Sequence, residues 1–400
     1  MLARLRQFFA ARGVLEVETP VLSAAAVSDP QIESLSTRIA GVAHPFYLST
    51  SPEFPMKRLL ASGSGDIYQV CKVFRDAERG RWHNPEFTMV EWYRLGLDEA
   101  ALMTEVEGLV AELLAPYRRL EPAERLTYAQ ALRRHAGVDA HGDSEATLER
   151  AAAAHGIVLQ PGGDPAACGT PGGGPTVPRP LEGRAAVVCR APDAKPAFHH
   201  PADEEGALRH PPDAEAAARR APDGNPALRH PPDEEAARRA AAQAAARRAA
   251  DGDPDGAAAA LDRDAKLDLL MGLVVGPKLG IERPCFICDY PASQASLARL
   301  KPGSPAVAAR FELYIDGIEL ANGFHELANP ADQRMRFTRD LATRHARGQV
   351  QPPVDERLLA ALQAGIPDCA GVALGFDRVV AIALGAAGLA AAMAFTIDNA

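Results

Sequence analysis

Val73–Tyr93, VFRDAERGRWHNPEFTMVEWY, sets an apolar run against a charged turn and then a second apolar run. Arg75 closes the first run, Asp76–Arg81 makes the turn, and His83-Asn84-Pro85-Glu86-Phe87 leads into the second. The alternation predicts a β-hairpin with an arginine at its base and a basic loop at its tip. Guanidinium groups grip phosphate oxygens in pairs, and Phe87 offers a face on which a base can stack. The hairpin therefore suits a nucleoside triphosphate as well as it suits an ordinary solvated turn.

A second hairpin lies in Phe311–Leu327, FELYIDGIELANGFHEL. Asp316-Gly317 is a strong two-residue turn signal, with strands expected at Phe311–Ile315 and Ile318–Phe324. Pairing Tyr314 with Glu319 puts Glu312 and Glu319 diagonally on one face. Two carboxylates there suit magnesium, which takes one or two carboxylates beside substrate phosphates; a polar outer sheet face is the plainer reading. Glu326 has the opposite parity and joins them only if the strand bulges, for which Ala321-Asn322-Gly323 is the credible step. A third element, Gly371–Arg378, GVALGFDR, sets glycines before an apolar helix with Arg378 at its mouth.

Composition limits what surrounds these elements. The 400 residues carry 43 basic and 52 acidic side chains, a net charge of −9, which argues against nucleic-acid binding through bulk charge. Six scattered cysteines read as reduced thiols of a cytoplasmic protein, and Cys285-x-x-Cys288 reads as part of a buried strand rather than a zinc site. The first thirteen residues have the pattern of an amphipathic helix without a signal-peptide core. Val379–Ile397 is uncharged and as long as a membrane span, but Gly385 and Gly388 favour a buried helix followed by a second packed segment. No GxxxxGK[ST], GxGxxG or HExxH motif occurs.

Residues 160–258 differ in kind. They hold about half of the chain's 33 prolines and a decapeptide repeat from Arg190 to Arg239, with Asp at 193, 203, 213, 223 and 233. The repeat lacks an apolar position to bury, so stacking cannot offset the ordering cost of ~1–2 kcal/mol per residue. The expectation is a disordered low-complexity insertion with a short helix at Ala236–Ala250. The flanking blocks, 1–159 and 259–400, then form one α/β domain, with a helix capped at Asp143 or Ser144 and running to about His155.

In their order, Gly13–Pro20, the Arg75 hairpin and Gly371–Arg378 resemble the three signature motifs of class II aminoacyl-tRNA synthetases, on the lysyl branch. TSPEFPMKRLL (50–60), HNPEFTMVEWYR (83–94), PASQASLA (291–298), IELANGFHEL (318–327) and PDCAGVALGFDR (367–378) are more similar still to a paralogous family, the elongation factor P–lysine lysyltransferases. The resemblance covers nearly everything outside 160–258. It implies the class II catalytic fold, an antiparallel sheet flanked by helices, and a homodimer. It also implies ATP and magnesium as cofactors, and lysine or (R)-β-lysine ligated to a lysine side chain of elongation factor P through an aminoacyl-adenylate. Motif one begins by residue 13, which leaves no room for the anticodon-binding domain of a lysyl-tRNA synthetase.

By position, the resemblance gives Arg75 the α-phosphate and lets Phe87 stack on adenine opposite Arg378. Arg75 and Arg378 are the catalytic pair. Asp76, Glu78, His83, Asn84, Glu319, Leu320 and Gly375 line the nucleotide, and Glu312 with Glu319 holds magnesium. Ser51, Pro52, Glu53 and Asn322 meet the amino acid, while Tyr93 and Glu326 receive its distal ammonium. Two departures stand out. The family's Arg-x-Glu becomes Arg75-Asp76-Ala77-Glu78, and Ala373 replaces the glycine of lysyl-tRNA synthetases, narrowing the pocket toward (R)-β-lysine. Two other readings are a freestanding lysyl-adenylate enzyme serving tRNA or another carrier, and a non-catalytic regulatory module. The first expects glycine at 373 and a basic RNA surface; the second expects a decayed ATP site.

Overall fold

Asp316 and Gly317 both adopt positive φ, 54° and 76°, the requirement of a tight hairpin turn whose twist matches its strands. That hairpin lies in the middle of the main sheet. The computed structural model describes residues 1–158, 188–189 and 262–400. The expected insertion 160–258, with its repeat and the helix at Ala236–Ala250, lies outside the described residues apart from Val188–Cys189.

The strands are β1 (Leu15–Glu16), β2 (Leu22–Ser23), β3 (Ser36–Thr37), β4 (Phe46–Leu48), β5 (Ile67–Phe74), β6 (Glu86–Leu95) and β7 (Glu124–Thr127). They continue as β8 (Ile157–Val158), β9 (Val188–Cys189), β10 (Cys285–Pro291), β11 (Leu300–Lys301), β12 (Val307–Ile315), β13 (Ile318–His325) and β14 (Cys369–Gly375). The main sheet runs β1-β5-β6-β14-β13-β12-β10-β7, with β11 paired to β12. It is antiparallel except for β1 on β5 and β10 on β7. β2, β4 and β3 make a small second sheet, and β8 pairs with β9.

β5 and β6 are the arms of the first predicted hairpin, and β12 and β13 those of the second. Tyr314 pairs with Glu319 as the turn dictates, but Leu313 pairs with Ala321. The bulge therefore falls at Leu320, one residue before the expected step. Its consequence is the expected one: parity flips, and Asn322 and Phe324 come to the same face as Glu319.

Helices cover the other face. Glu99–Leu114 lays Leu102, Val106, Leu109 and Leu113 against the sheet beside Phe9 and Trp92, each such side chain contributing about 1.5–3 kcal/mol on full burial. The predicted helices form at Leu2–Ala10 and at Glu145–Ala154, where Ser144 caps Thr147 N. Phe376–Ala383 ends just before Gly385, and among the described residues no helix is long and apolar enough to cross a membrane.

The two sequence blocks share one sheet and are tied beside the undescribed stretch. Lys266 Nζ lies 2.6 Å from Glu145 Oε2 and 2.7 Å from Glu149 Oε1, and Arg263 donates to Ala140 O at 2.7 Å. Cys285 and Cys288 lie on β10, where burial pushes their thiols up to about 12 and about 11.

Candidate active site

The sheet face opposite the long helix forms the floor of a cleft of about 1790 Å³. That exceeds the ~300–1,000 Å³ of a typical small-molecule pocket and leaves room for a nucleotide and a second substrate. Register builds the floor in rows. Glu91 on β6 pairs with Ala373 on β14, Ala373 with Asn322 on β13, and Asn322 with Glu312 on β12. In the next row Tyr93 pairs with Gly371, Gly371 with Phe324, and Phe324 with Arg310. The loop 23–34 forms a side wall, pinned by the buried Arg344, which donates to Asp29 O at 2.9 Å and Glu33 Oε2 at 2.7 Å.

One end of the cleft gathers guanidinium groups. Arg75 donates through Nε to Thr50 O at 3.2 Å, and its Nη1 lies 3.4 Å from Glu78 Oε1. Ala77 takes a left-handed φ of 59°, and the glutamate displaced by one position reaches back to Arg75. Arg310 Nη2 donates to Glu312 Oε1 at 2.6 Å, while Tyr314 donates to Glu312 Oε2 at 2.7 Å. Burial and the Glu312 charge push Glu319 up to about 7, against the pull of Arg378, Arg310 and Arg75. Arg75 and Arg378 thus act on the same carboxylate. Asn322 Oδ1 is buried beside Glu312 without a hydrogen-bond partner. Two carboxylates and an orphaned amide oxygen are the hard-oxygen donors magnesium prefers, and a dication would relieve the unfavourable charge on Glu319.

The other end gathers acids. Glu91 is 3% exposed, accepting from Ser51 Oγ and from Tyr93 OH, both at 2.7 Å. Burial and the neighbouring Glu53 charge push it up to about 8. Glu326, 1% exposed, is raised to about 7, chiefly by burial. Its partner is Lys57 of the helix Glu53–Ala61, whose Nζ lies 2.7 Å from Glu326 Oε2 and 2.6 Å from Glu53 Oε1. The Glu326 contact is close but off the hydrogen-bond direction. Gly371 makes this end possible, because a Cβ there would stand 2.3 Å from the Tyr93 ring and 2.5 Å from Glu326 Oε1.

Of the site residues read from the sequence, Ser51, Glu53, Arg75, Asp76, Glu78, His83, Tyr93, Glu312, Glu319, Asn322, Glu326 and Ala373 line the cleft. Pro52, Asn84, Phe87, Leu320, Gly375 and Arg378 are not among the lining residues. Pro52 caps its helix, and Leu320 sits in the core at the bulge. Gly375 caps the helix that carries Arg378. Asn84 donates to Glu86 O at 2.6 Å and accepts from Ile397 N at 2.9 Å, so its amide is committed to the fold.

Phe87 and Arg378, expected to enclose adenine between them, each have protein neighbours as well. The guanidinium over the Phe87 ring is that of Arg75, 5.2 Å from its centroid. Arg378 donates to Trp82 O at 3.1 Å and Glu319 O at 2.8 Å. Glu326, expected to receive the substrate's distal ammonium with Tyr93, also pairs with Lys57.

The sequence reading passed over Glu91, Lys57 and Arg310. Signals existed for each: an acid between Val90 and Trp92 in an apolar strand, a lysine four residues after Glu53 on a helix, and an arginine two residues before Glu312 on one strand face.

The chain is similar over its whole length to known proteins. A family described as tRNA synthetases class II (D, K and N) matches residues 1–399. An elongation factor P–(R)-β-lysine ligase of Klebsiella pneumoniae subsp. pneumoniae is 38% identical over 404 residues, covering 100% of this chain and 94% of the relative. Proteins of the same name from Salmonella dublin and Salmonella enteritidis are 39% identical over the same shares.

Proposed function

Given that the chain belongs to the class II tRNA synthetase family (D, K and N), we propose that it is an ATP-dependent ligase joining (R)-β-lysine, or lysine, to a lysine side chain of elongation factor P. The observation that carries this reading is the polarity of one cleft: guanidinium groups around Glu319 at one end, and at the other three carboxylates, of which two share the Lys57 ammonium and the third, Glu91, has hydroxyl donors. A triphosphate and a diamino acid are the complementary ligands. The names of the relatives supply the acceptor.

The reaction takes two steps. The amino-acid carboxylate attacks the α-phosphorus of ATP and pyrophosphate leaves; the neutral acceptor amine then attacks the acyl carbon, AMP leaves, and the nitrogen gives up one proton to solvent as the amide forms. Arg75, at the base of the hairpin, meets the charge that develops on the α-phosphate, a task for a preorganised cation in a site shielded from water. Glu78 aims Arg75, and Arg378 holds the motif-two loop to the Glu319 strand through the Trp82 and Glu319 carbonyls. Glu312, Glu319 and Asn322 would hold magnesium, which supplies positive charge to offset that of the phosphates. Glu91, Ser51 and Tyr93 orient one substrate ammonium, and Glu53 and Glu326 the other. Alignment of the two reactants contributes up to ~7–11 kcal/mol in favourable cases.

Ala373 sits in the row between Glu91 and Asn322, so its methyl lies between the ammonium end and the metal end of the floor. That placement favours the shifted amine of (R)-β-lysine. A homodimer in the cytoplasm belongs to the same reading; Leu15, Val21 and Leu22 stand 56%, 39% and 39% exposed near the edge strand β1. Residues 160–258 are read as an insertion into one catalytic domain.

Pyrophosphate exchange with (R)-β-lysine and with lysine, followed by transfer to purified elongation factor P or to tRNA, tests the reading. Exchange with both and transfer to the protein alone is expected. No exchange with either amino acid would overturn it.

A further inference from the structure

The buried Lys57 is the feature the reaction scheme does not use. It is 1% exposed and is not among the residues lining the cleft, so it does not touch substrate. Its helix is anchored by Met56 and Leu60, which pack with Ile67, Tyr93 and Cys369. Burial pulls an ammonium's pKa down, but here the Glu326 and Glu53 charges more than reverse it and hold Lys57 above its ordinary value. A cation kept charged in such a place acts on whatever its carboxylates bind next.

We propose that Lys57 is a positioning residue that sets the charge of the amino-acid pocket. It binds Glu53 and Glu326 to one shared ammonium, so that two carboxyl groups remain to be ionised by a substrate that brings two ammonium groups. The count is three carboxylates, Glu53, Glu91 and Glu326, less one cation. An amino acid with a single ammonium leaves one buried carboxylate unmatched, and an unmatched buried charge is strongly disfavoured. Discrimination between diamino and monoamino acids is thus built partly by a residue behind the wall. Without Lys57, Glu53 and Glu326 repel each other and share a proton instead, and Glu326 no longer presents its free oxygen beside Gly371. The inference rests on the diamino-acid reading above.

The experiment is pyrophosphate exchange with (R)-β-lysine and lysine, and with norleucine and 6-aminohexanoate as single-ammonium controls, in four proteins: wild type, Lys57→Met, Glu53→Gln and the double variant. Lys57→Met should raise the KM for the diamino acids by roughly 10–100-fold while the KM for ATP moves no more than about twofold. The double variant restores the count of two, and the amide introduced at position 53 can donate to Glu326, so it should bind the diamino acid better than Lys57→Met does. A merely structural lysine predicts losses that add, together with equal effects on ATP. Additive losses, an unchanged KM in a folded Lys57→Met, or a double variant that neither folds nor binds would each overturn the proposal. If wild type exchanges with neither diamino acid, the functional reading fails and takes this inference with it. Active wild type with additive variants sinks the inference alone.

Discussion

The two ends of the cleft set carboxylates against cations in different proportion. At the phosphate end, Arg75, Arg310 and Arg378 face Glu78, Glu312 and Glu319, three guanidinium groups against three carboxylates. At the amine end, Glu53, Glu91 and Glu326 face Lys57 alone. The balanced end becomes an anion site only when a divalent cation joins it; the unbalanced end is a cation site as it stands. What a charged cluster binds is decided by what remains after its members have paired, rather than by the residues it contains.

The contrast is sharpest at Arg75, the guanidinium at the base of the motif-two hairpin. Arg75→Ala should lower kcat/KM for ATP in pyrophosphate exchange by roughly 100–1,000-fold, the scale of removing one preorganised charge-stabilising group. A loss below about tenfold would show that Arg310 and Arg378 carry the phosphate instead. At the amine end, Glu91→Gln keeps shape but removes charge, and should cost roughly 10–100-fold in kcat/KM for the diamino acid with the KM for ATP unmoved. Equal effects on both substrates would erase the distinction between the ends.

Acidity offers a third comparison. Glu91, Glu319 and Glu326 sit at about 8, 7 and 7 in the folded enzyme, whereas an unfolded glutamate titrates near ~4.3. Between those values the folded state holds more protons than the unfolded one, so stability falls as pH rises. His325, raised by Glu99, acts in the same sense at the upper end, and Glu99, held down to about 2, acts only below the window. The Tm of the ligand-free enzyme should therefore drop by roughly 5 °C from about pH 5 to about pH 8, and saturating lysine should stabilise more at the upper end of that range than at the lower. A Tm that rises across that range would mean the acids are ionised throughout. The smallest effect is expected at Ala373, between the two ends. Ala373→Gly should shift the preference from (R)-β-lysine toward lysine by roughly 3–10-fold, read as a ratio of kcat/KM values; an unchanged ratio would place the choice elsewhere.

Much of the floor was legible in advance because it depends on local rules. Asp316-Gly317 dictates its turn, the turn dictates Tyr314 opposite Glu319, and strand parity then orders Glu312, Glu319 and Asn322. The bulge was legible in kind and missed by one residue, because Leu320 is drawn into the core while Ala321 and Gly323 keep the ladder. Asn84 and Arg378, read as nucleotide contacts, also hold the motif-two loop to Ile397 and to the Glu319 strand. The Asn84–Ile397 and Arg378–Trp82 contacts each span 313 and 296 positions of the chain, and no local pattern announces them.

The order of motifs, the hairpin turns and the acids at 312, 319 and 326 follow from the sequence alone, since each rests on spacing within a few residues. The tertiary structure alone decided which charges cancel. Lys57 on a helix reaches Glu326 just past the end of β13, and Glu91 is left with hydroxyl donors and no cation. Ion pairing acts through space at separations of a few ångströms and in a medium that burial makes weakly polar. The side chains that meet there, and the ligand charge they still lack, exist only once the chain has folded.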